Sequence, residues 1–142
     1  MLILRILRAV SLACWTAPQT IIGAGLWVVA AIRGNSFSYP YTGRTRGGIL
    51  TIITRTSLIP GAVSLGMFVF IGRGATDPAV GPPHVIKHEY GHTLQSAMLG
   101  PLYLLIVGLP SIIRATWWTR TRQRGDYYRI WFEAWANRLG GV

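Results

Sequence analysis

Acidic side chains are nearly absent from this chain. Among 142 residues there are only Asp77, Glu89, Asp126 and Glu133, against fourteen basic residues, and the formal net charge is +10. Charged residues make up 13% of the total, about half of the ~25% usual in a soluble domain. Cysteine is equally scarce. Cys14 stands alone, which excludes an intrachain disulfide and a cysteine-rich zinc ribbon. The apolar stretch between Arg8 and Cys14 is too short for a lipoprotein signal. Lysine is reduced to Lys87, the other basic residues all being arginine, and there are three histidines. Internal repeats and low-complexity tracts are missing, and the length suits one domain.

What the chain has in quantity is apolar surface, 51% of its residues. The arginines flank apolar stretches: Arg5, Arg8 and Arg33 around the first, then Arg114, Arg120, Arg122 and Arg124 after a later one. That placement points to anionic lipid headgroups as a partner and away from nucleic acid, whose readers carry a fold signature or a basic helix with polar faces. Residues 9–32 carry no charge and exceed the ~20 residues that span a bilayer core as a helix. A membrane-associated helix over residues 1–33 is therefore expected, kinked at Pro18 and at the Gly23/Gly25 pair, or broken into an interfacial hairpin at Pro18-Gln19-Thr20. More arginines follow this segment than precede it, which puts the remainder on the cytoplasmic side of a membrane, the inner membrane if the cell is bacterial.

Residues 34–142 read as one α+β domain. Residues 34–48 look like a loop, 49–56 and 62–71 like two strands of a hairpin turned at Pro60-Gly61, and 72–83 like a second loop. A helix is expected from about His84 to Leu99, started by Pro82-Pro83 and stopped by Gly100-Pro101. Residues 99–113 form an apolar run, short for a span and interrupted by Pro101 and Pro110, hence buried, re-entrant or interfacial. Trp117-Trp118 beside arginines fits a membrane–water boundary. A last helix covers about Asp126 to Leu139.

Within the first of these helices lies His88-Glu89-Tyr90-Gly91-His92. On a helix, positions i and i+4 share a face one turn apart, so both imidazoles reach one metal ion. Glu89, set off by about 100°, reaches a water on that metal. Shuffling a chain with so few histidines and glutamates yields this spacing on the order of 6 times in 10,000, so chance is a poor explanation. A catalytic zinc needs a third protein ligand and an open position. His84 and His92 stand about 12 Å apart along a helix, too far to share an ion at bond lengths near 2 Å. That leaves Asp77, Asp126 and Glu133. Glu133, a carboxylate set among aromatic residues in FEAWANRLGG, needs a partner there. Zinc would serve, and an ion pair with Arg129 or Arg138 is the alternative. Asn137, at i+4, is placed to steady the carboxylate or a histidine.

With these residues the chain resembles a zincin of the gluzincin kind, an H-E-x-x-H helix followed later by a helical glutamate. The runs HEYGHTLQSAMLGPLYLLIVGLPSII and EAWANRLGG are also similar to small bacterial zincin-like proteins and to metallopeptidase domains at the ends of polymorphic toxins. EAWAN departs from the fuller gluzincin motif around the third ligand. The resemblance implies one zinc ion held by His88, His92 and Glu133, and a small sheet whose edge strand, SLGMFVF, pairs with an extended substrate. It implies a zinc-dependent metalloendopeptidase in which Glu89, as general base, activates a zinc-bound water against a peptide or protein substrate. Tyr127, Tyr128 and Arg129 are the nearby oxyanion-donor candidates. Two rival readings are a site-2-type intramembrane metalloprotease and a non-enzymatic, basic, membrane-binding protein.

Overall fold

Pro18 decides the course of the first apolar run. Its ring collides with the carbonyl four residues back and it has no N–H to give, so a helix cannot pass straight through it. In the computed structural model, which describes residues 2–34, 36–43, 48–75, 81–121 and 127–142, helix α1 (Leu2–Trp15) stops at Thr16 and helix α2 (Ala17–Ile32) begins with Pro18 in its first turn. The two meet at a bend of 102°. The Thr16 hydroxyl donates to the Leu12 carbonyl (2.9 Å) and bonds the Thr20 hydroxyl (2.8 Å), which fills the corner. The single kinked helix expected over residues 1–33 is thus corrected to a bent pair, whose corner at Thr16 lies just ahead of the alternative break at Pro18-Gln19-Thr20. Among the described residues no single helix is long and apolar enough to cross a membrane. α2 runs unbroken through the Gly23/Gly25 pair. Gly23 lets the helix lie on the sheet, where a Cβ would sit 2.7 Å from the Leu65 carbonyl, while Gly25 faces open space. Fully buried Gln19 ties α2 to the body, its amide donating to Ser96 Oγ (2.9 Å) and to the Gly100 carbonyl (2.8 Å).

Four strands follow: β1 (Ser36–Tyr41), β2 (Thr51–Thr56), β3 (Ala62–Leu65) and β4 (Phe68–Ile71). They lie in the order β1-β2-β4-β3. β1 falls where a loop was expected; it tolerates Pro40 because it is an edge strand. Residues 62–71 are not one strand. They fold at Gly66-Met67 into a tight antiparallel hairpin, with Gly66 at φ +63°, as such two-residue turns require. β4 then slots in parallel beside β2, so the expected hairpin of 49–56 with 62–71 gives way to a parallel pair, with β3 on the outside. Ile53, Val69 and Ile71 from the central strands pack with Val85 as the main core.

Helix α3 (Gly81–Leu99) crosses the sheet, and helix α5 (Trp131–Gly140) lies against α3. That crossing is unusually close because small residues make it. A Cβ on Gly91 would sit 1.9 Å from the Ala136 carbonyl, and one on Gly140 would sit 2.0 Å from the Lys87 carbonyl. The Tyr90 hydroxyl donates to the Thr42 carbonyl (3.1 Å) and accepts from the Ile49 amide (2.8 Å), anchoring the chain on either side of residues 44–47. Between the helices, Gly100–Leu102 forms a 3-10 turn and Leu104–Gly108 a π turn, and helix α4 runs Leu109–Thr121. The α3 and α4 segments bend by 120° about this break, so the apolar run of residues 99–113 is not one straight helix. The last helix differs from expectation at its start. Tyr127–Arg129 is a 3-10 turn, so Glu133 falls in the first turn of α5 and not its middle.

The closeness of α3 and α5 carries a prediction. Gly91→Ala should lower stability by about 2 kcal/mol through overpacking, whereas Gly25→Ala, in open space on α2, should leave it unchanged or raise it by up to ~1 kcal/mol. Paired thermal melts check this. Equal melting temperatures for Gly91→Ala and the parent would contradict the tight crossing.

Candidate metal centre

α3 and α5 together bring three side chains to one point. His88 and His92 share a face of α3, with ring centroids 4.8 Å apart. Glu133 reaches across from α5, its Oε2 lying 3.1 Å from His88 Nε2 and 3.3 Å from His92 Nε2. The three offer ligand atoms that all lie within 4.8 Å of one another. A tetrahedral zinc with bonds of 2.0–2.1 Å spaces its ligand atoms by about 3.3 Å. The imidazole–carboxylate separations match that spacing, and two nitrogens with one oxygen are a donor set that suits zinc. The residues present therefore fit a zinc ion, and with three protein ligands they leave a fourth position open.

The distal ring nitrogens fix which atom faces the centre. His92 Nδ1 is 2.7 Å from Gln95 Oε1, and the Gln95 amide nitrogen donates to the Phe132 carbonyl (2.8 Å). Because that carbonyl demands the N–H side of the amide, the oxygen must face the ring. His92 Nδ1 then carries a proton and Nε2 is the atom that faces Glu133 Oε2, as the N–H donor to that oxygen in the metal-free chain and as the lone pair that would hold a metal. His88 Nδ1 is held likewise by Asn137 Oδ1 at 2.7 Å. Asn137 thus steadies a histidine and not the carboxylate. Glu133 has its other oxygen, Oε1, bound by the Ser111 hydroxyl at 2.6 Å, which leaves Oε2 aimed between the imidazoles.

Glu133 is fully buried, as Glu89, His88 and His92 nearly are. Burial by itself would raise the Glu133 pKa, but the hydrogen bonds from His88, His92 and Ser111 outweigh it and hold the carboxyl far below the usual range. Glu89 shows the opposite balance. Burial pushes it up, and the charges of His92 and His88 recover only part of the rise. For His88, burial pulls the pKa down, yet the hydrogen bond to Glu133 and the charge of Glu89 leave it raised. Two carboxylates in one site are thus driven apart, Glu133 downward by its hydrogen bonds and Glu89 upward by its burial.

A cavity of ≈ 880 Å³ opens over this centre, and His88, Glu89, His92 and Glu133 all border it. Its walls are β3 on one side and α4 on the other, with Tyr128 packed edge-on against the His88 ring at 4.9 Å. Of the three oxyanion-donor candidates Tyr128 lies at the site, Arg129 is exposed, and the Tyr127 side chain lies outside the described residues. Asp77 and Asp126 also lie outside them. His84 does not join the ligand group, its ring lying 6.4 Å from that of Tyr128. The alternative pairing of Glu133 with Arg129 or Arg138 is replaced by the imidazoles and Ser111, both arginines being exposed. Sequence reasoning missed Gln95 and Ser111. Gln95 had a signal, a polar residue at i+3 from His92 on the same helix; Ser111 had none, since only the fold brings α4 to α5.

No family model, no curated protein and no solved structure matches the chain. The site stands on its own geometry.

That geometry predicts the effect of removing the orienting groups. Gln95→Ala and Asn137→Ala should each weaken zinc binding roughly 10–100-fold without abolishing it, and Ser111→Ala should act in the same direction. Competition with a chromophoric chelator measures this. Unchanged affinity in all three would mean that the imidazoles and Glu133 are not the ligands.

Proposed function

We propose that the protein is a zinc-dependent metallopeptidase attached to a membrane. The observation that carries this reading is Glu89: a buried carboxylate of raised pKa, bordering a cavity beside two imidazoles and a carboxylate spaced for one zinc. A structural zinc site is closed by four protein ligands and has no use for an ionisable group facing its open position.

When bound, zinc supplies a Lewis acid that acidifies a water and polarises a carbonyl. The chain's own residues do the rest. Glu89 takes the proton of the attacking water as its oxygen bonds to the peptide carbonyl carbon. The C–N bond then breaks, and Glu89 returns the proton to the leaving amine. Glu133 acts only as a ligand, its Oε1 held by the Ser111 hydroxyl and its Oε2 turned to the imidazoles. Asn137 and Gln95 keep the rings from turning.

β3 supports a peptide as the substrate. Among the described residues it pairs with β4 alone, and the whole strand, Ala62–Leu65, borders the cavity. A free strand edge alongside a metal centre accepts an extended chain by backbone hydrogen bonding. The zincin-type edge strand is thus Ala62–Leu65, the outer half of the hairpin, and not all of SLGMFVF. Ser64 Oγ bonds Thr93 Oγ1 (3.0 Å), fixing this edge to the α3 helix that carries the ligands.

Membrane attachment is supported by where the apolar side chains lie. Arg8, Ser11, Leu12 and Trp15 turn toward Ile49 and Ala97 of the body, while Ile3, Ile6, Leu7 and Val10, on the other face of α1, are exposed. With a net charge of +10, that apolar face suits an anionic leaflet such as the cytoplasmic face of a bacterial inner membrane.

Glu89→Gln should retain the zinc of the parent and lose peptide hydrolysis by at least ~10²-fold, the usual scale for a general base. Zinc content and cleavage of a peptide library, measured side by side, decide this. Undiminished cleavage would remove Glu89 from the mechanism. A zinc-loaded parent that cleaves no peptide but binds anionic vesicles would favour the non-enzymatic membrane-binding protein.

A further inference from the structure

We infer that the substrate is an apolar peptide segment presented in extended form at the bilayer surface, entering between β3 and the inner face of α4. This rests on the peptidase reading above and adds to it what kind of peptide is cut and from which side it arrives.

The cavity wall opposite β3 is α4, and α4 is apolar on two faces. Ile112, Ala115 and Trp118 line the cavity. Leu109, Ile113 and Trp117, at i, i+4 and i+8, point elsewhere and are 51%, 59% and 51% exposed. A helix that is apolar on opposite faces belongs in a protein core or against lipid. Here the inner face looks into an open cavity, so lipid is left for the outer one. Charge agrees with this. The Arg114 guanidinium lies over the Trp118 ring at 4.9 Å, and Arg120 stands one turn beyond Trp117. Tryptophan with arginine at a helix end is what a membrane–water boundary selects.

The same surface extends to α1. Trp15 Nε1 donates to the Ala97 carbonyl (3.0 Å), and the indole covers Gly100, where a Cβ would sit 2.3 Å from its ring. The corner of the first bent pair therefore abuts the corner of the second. Met98 and Leu102, on either side of Gly100, are exposed there, and Leu105 continues toward α4. The active-site cavity is thus walled by an element that faces lipid on its back.

The cavity lining sets the chemistry of what enters. Apart from the catalytic groups, β3 offers Ala62, Val63 and Leu65 with Ser64 bonded to Thr93, the opposite wall offers Leu104, Ile112 and Ala115 with Thr116, and Arg120 borders the cavity at the end of α4. Among the described residues no carboxylate besides Glu89 and Glu133 borders it. A charged or amide side chain seated against Ala62, Val63, Leu65, Leu104, Ile112 and Ala115 loses its water without a polar group among them to replace it, which costs it binding, while an apolar one gains by leaving water. Backbone pairing on β3 is indifferent to side chains, so selectivity falls to these walls.

The test uses the full zinc-loaded chain and two short internally quenched peptides of equal length, one of Ala, Val and Leu, the other with Ser, Asn and Lys at the same positions. The apolar peptide should be cut with a kcat/KM at least about 10-fold higher, and Glu89→Gln should abolish cleavage of both. Carried on a lipid anchor in phosphatidylglycerol vesicles, it should be cut faster than free in solution. Ile112→Asn, at a half-exposed position, should narrow the preference with zinc content unchanged. Equal cleavage of the two peptides, sensitive to Glu89→Gln, would overturn the apolar preference and leave the peptidase reading standing. Equal rates on vesicles and in solution would overturn delivery from the bilayer. Cleavage of neither peptide by the zinc-loaded chain would remove the peptidase reading and this inference with it.

Discussion

A carboxylate with no access to water must be neutralised where it stands, and Glu133 is such a group. The chain meets that demand with two imidazoles and a serine hydroxyl, all from other elements. Most of the fold follows from bringing them together. α3 and α5 must approach closely enough for a glutamate to reach both histidines, and Gly91 and Gly140 allow it. α4 must lie near enough for Ser111 to take the second oxygen. The residue between the histidines that faces α5 is a glycine for this reason, and the one facing away, Tyr90, is free to anchor Thr42 and Ile49.

α3 presents His88, Glu89 and His92 to the cavity and, through Ser96 and the adjoining Gly100, receives Gln19 of α2 elsewhere. The segment after it turns back at Gly100, φ +55°, and becomes the cavity wall. In the proposed reading this wall separates the metal centre from lipid, so the depth at which the protein sits in a membrane decides what reaches the centre. A site built in this way differs from a soluble peptidase cleft, where the outer face of such a wall would be polar.

The parts that sequence made legible are those encoded locally. Two histidines at i and i+4 with a glutamate between them define a face of a helix whatever the fold around it. Asn137 was expected to steady either Glu133 or a histidine, and only the packing of α5 on α3 decides for His88. Glu133 was reachable because the chain has so few acids that each needs a reason. Elements that depend on distant partners were not legible. SFSYPY has serines and a proline, and becomes β1 only because β2 offers it an edge. AVSLGMFVFI has an unbroken strand composition, and only the positive φ of Gly66 and the slot beside β2 fold it in two. For Pro18 the sequence left open a kink within one helix or a break at Pro18-Gln19-Thr20, and the chain breaks just ahead of it, at Thr16. The two threonine hydroxyls close the resulting corner. Ser111 matters through a hydrogen bond between elements, which periodicity within one element does not encode, and the i+3 spacing of Gln95 from His92 does not reveal that its amide also reaches Phe132.

The claim on which everything else depends is that His88, His92 and Glu133 hold one zinc ion. The zinc K-edge X-ray absorption spectrum of the purified, zinc-loaded protein tests it most directly. The account predicts a shell of nitrogen and oxygen at about 2.0–2.1 Å, with the outer scattering of two imidazoles, and loss of that imidazole signature when His88 and His92 are replaced by alanine. A spectrum without imidazole scattering, or a folded protein that takes up no zinc, would contradict it.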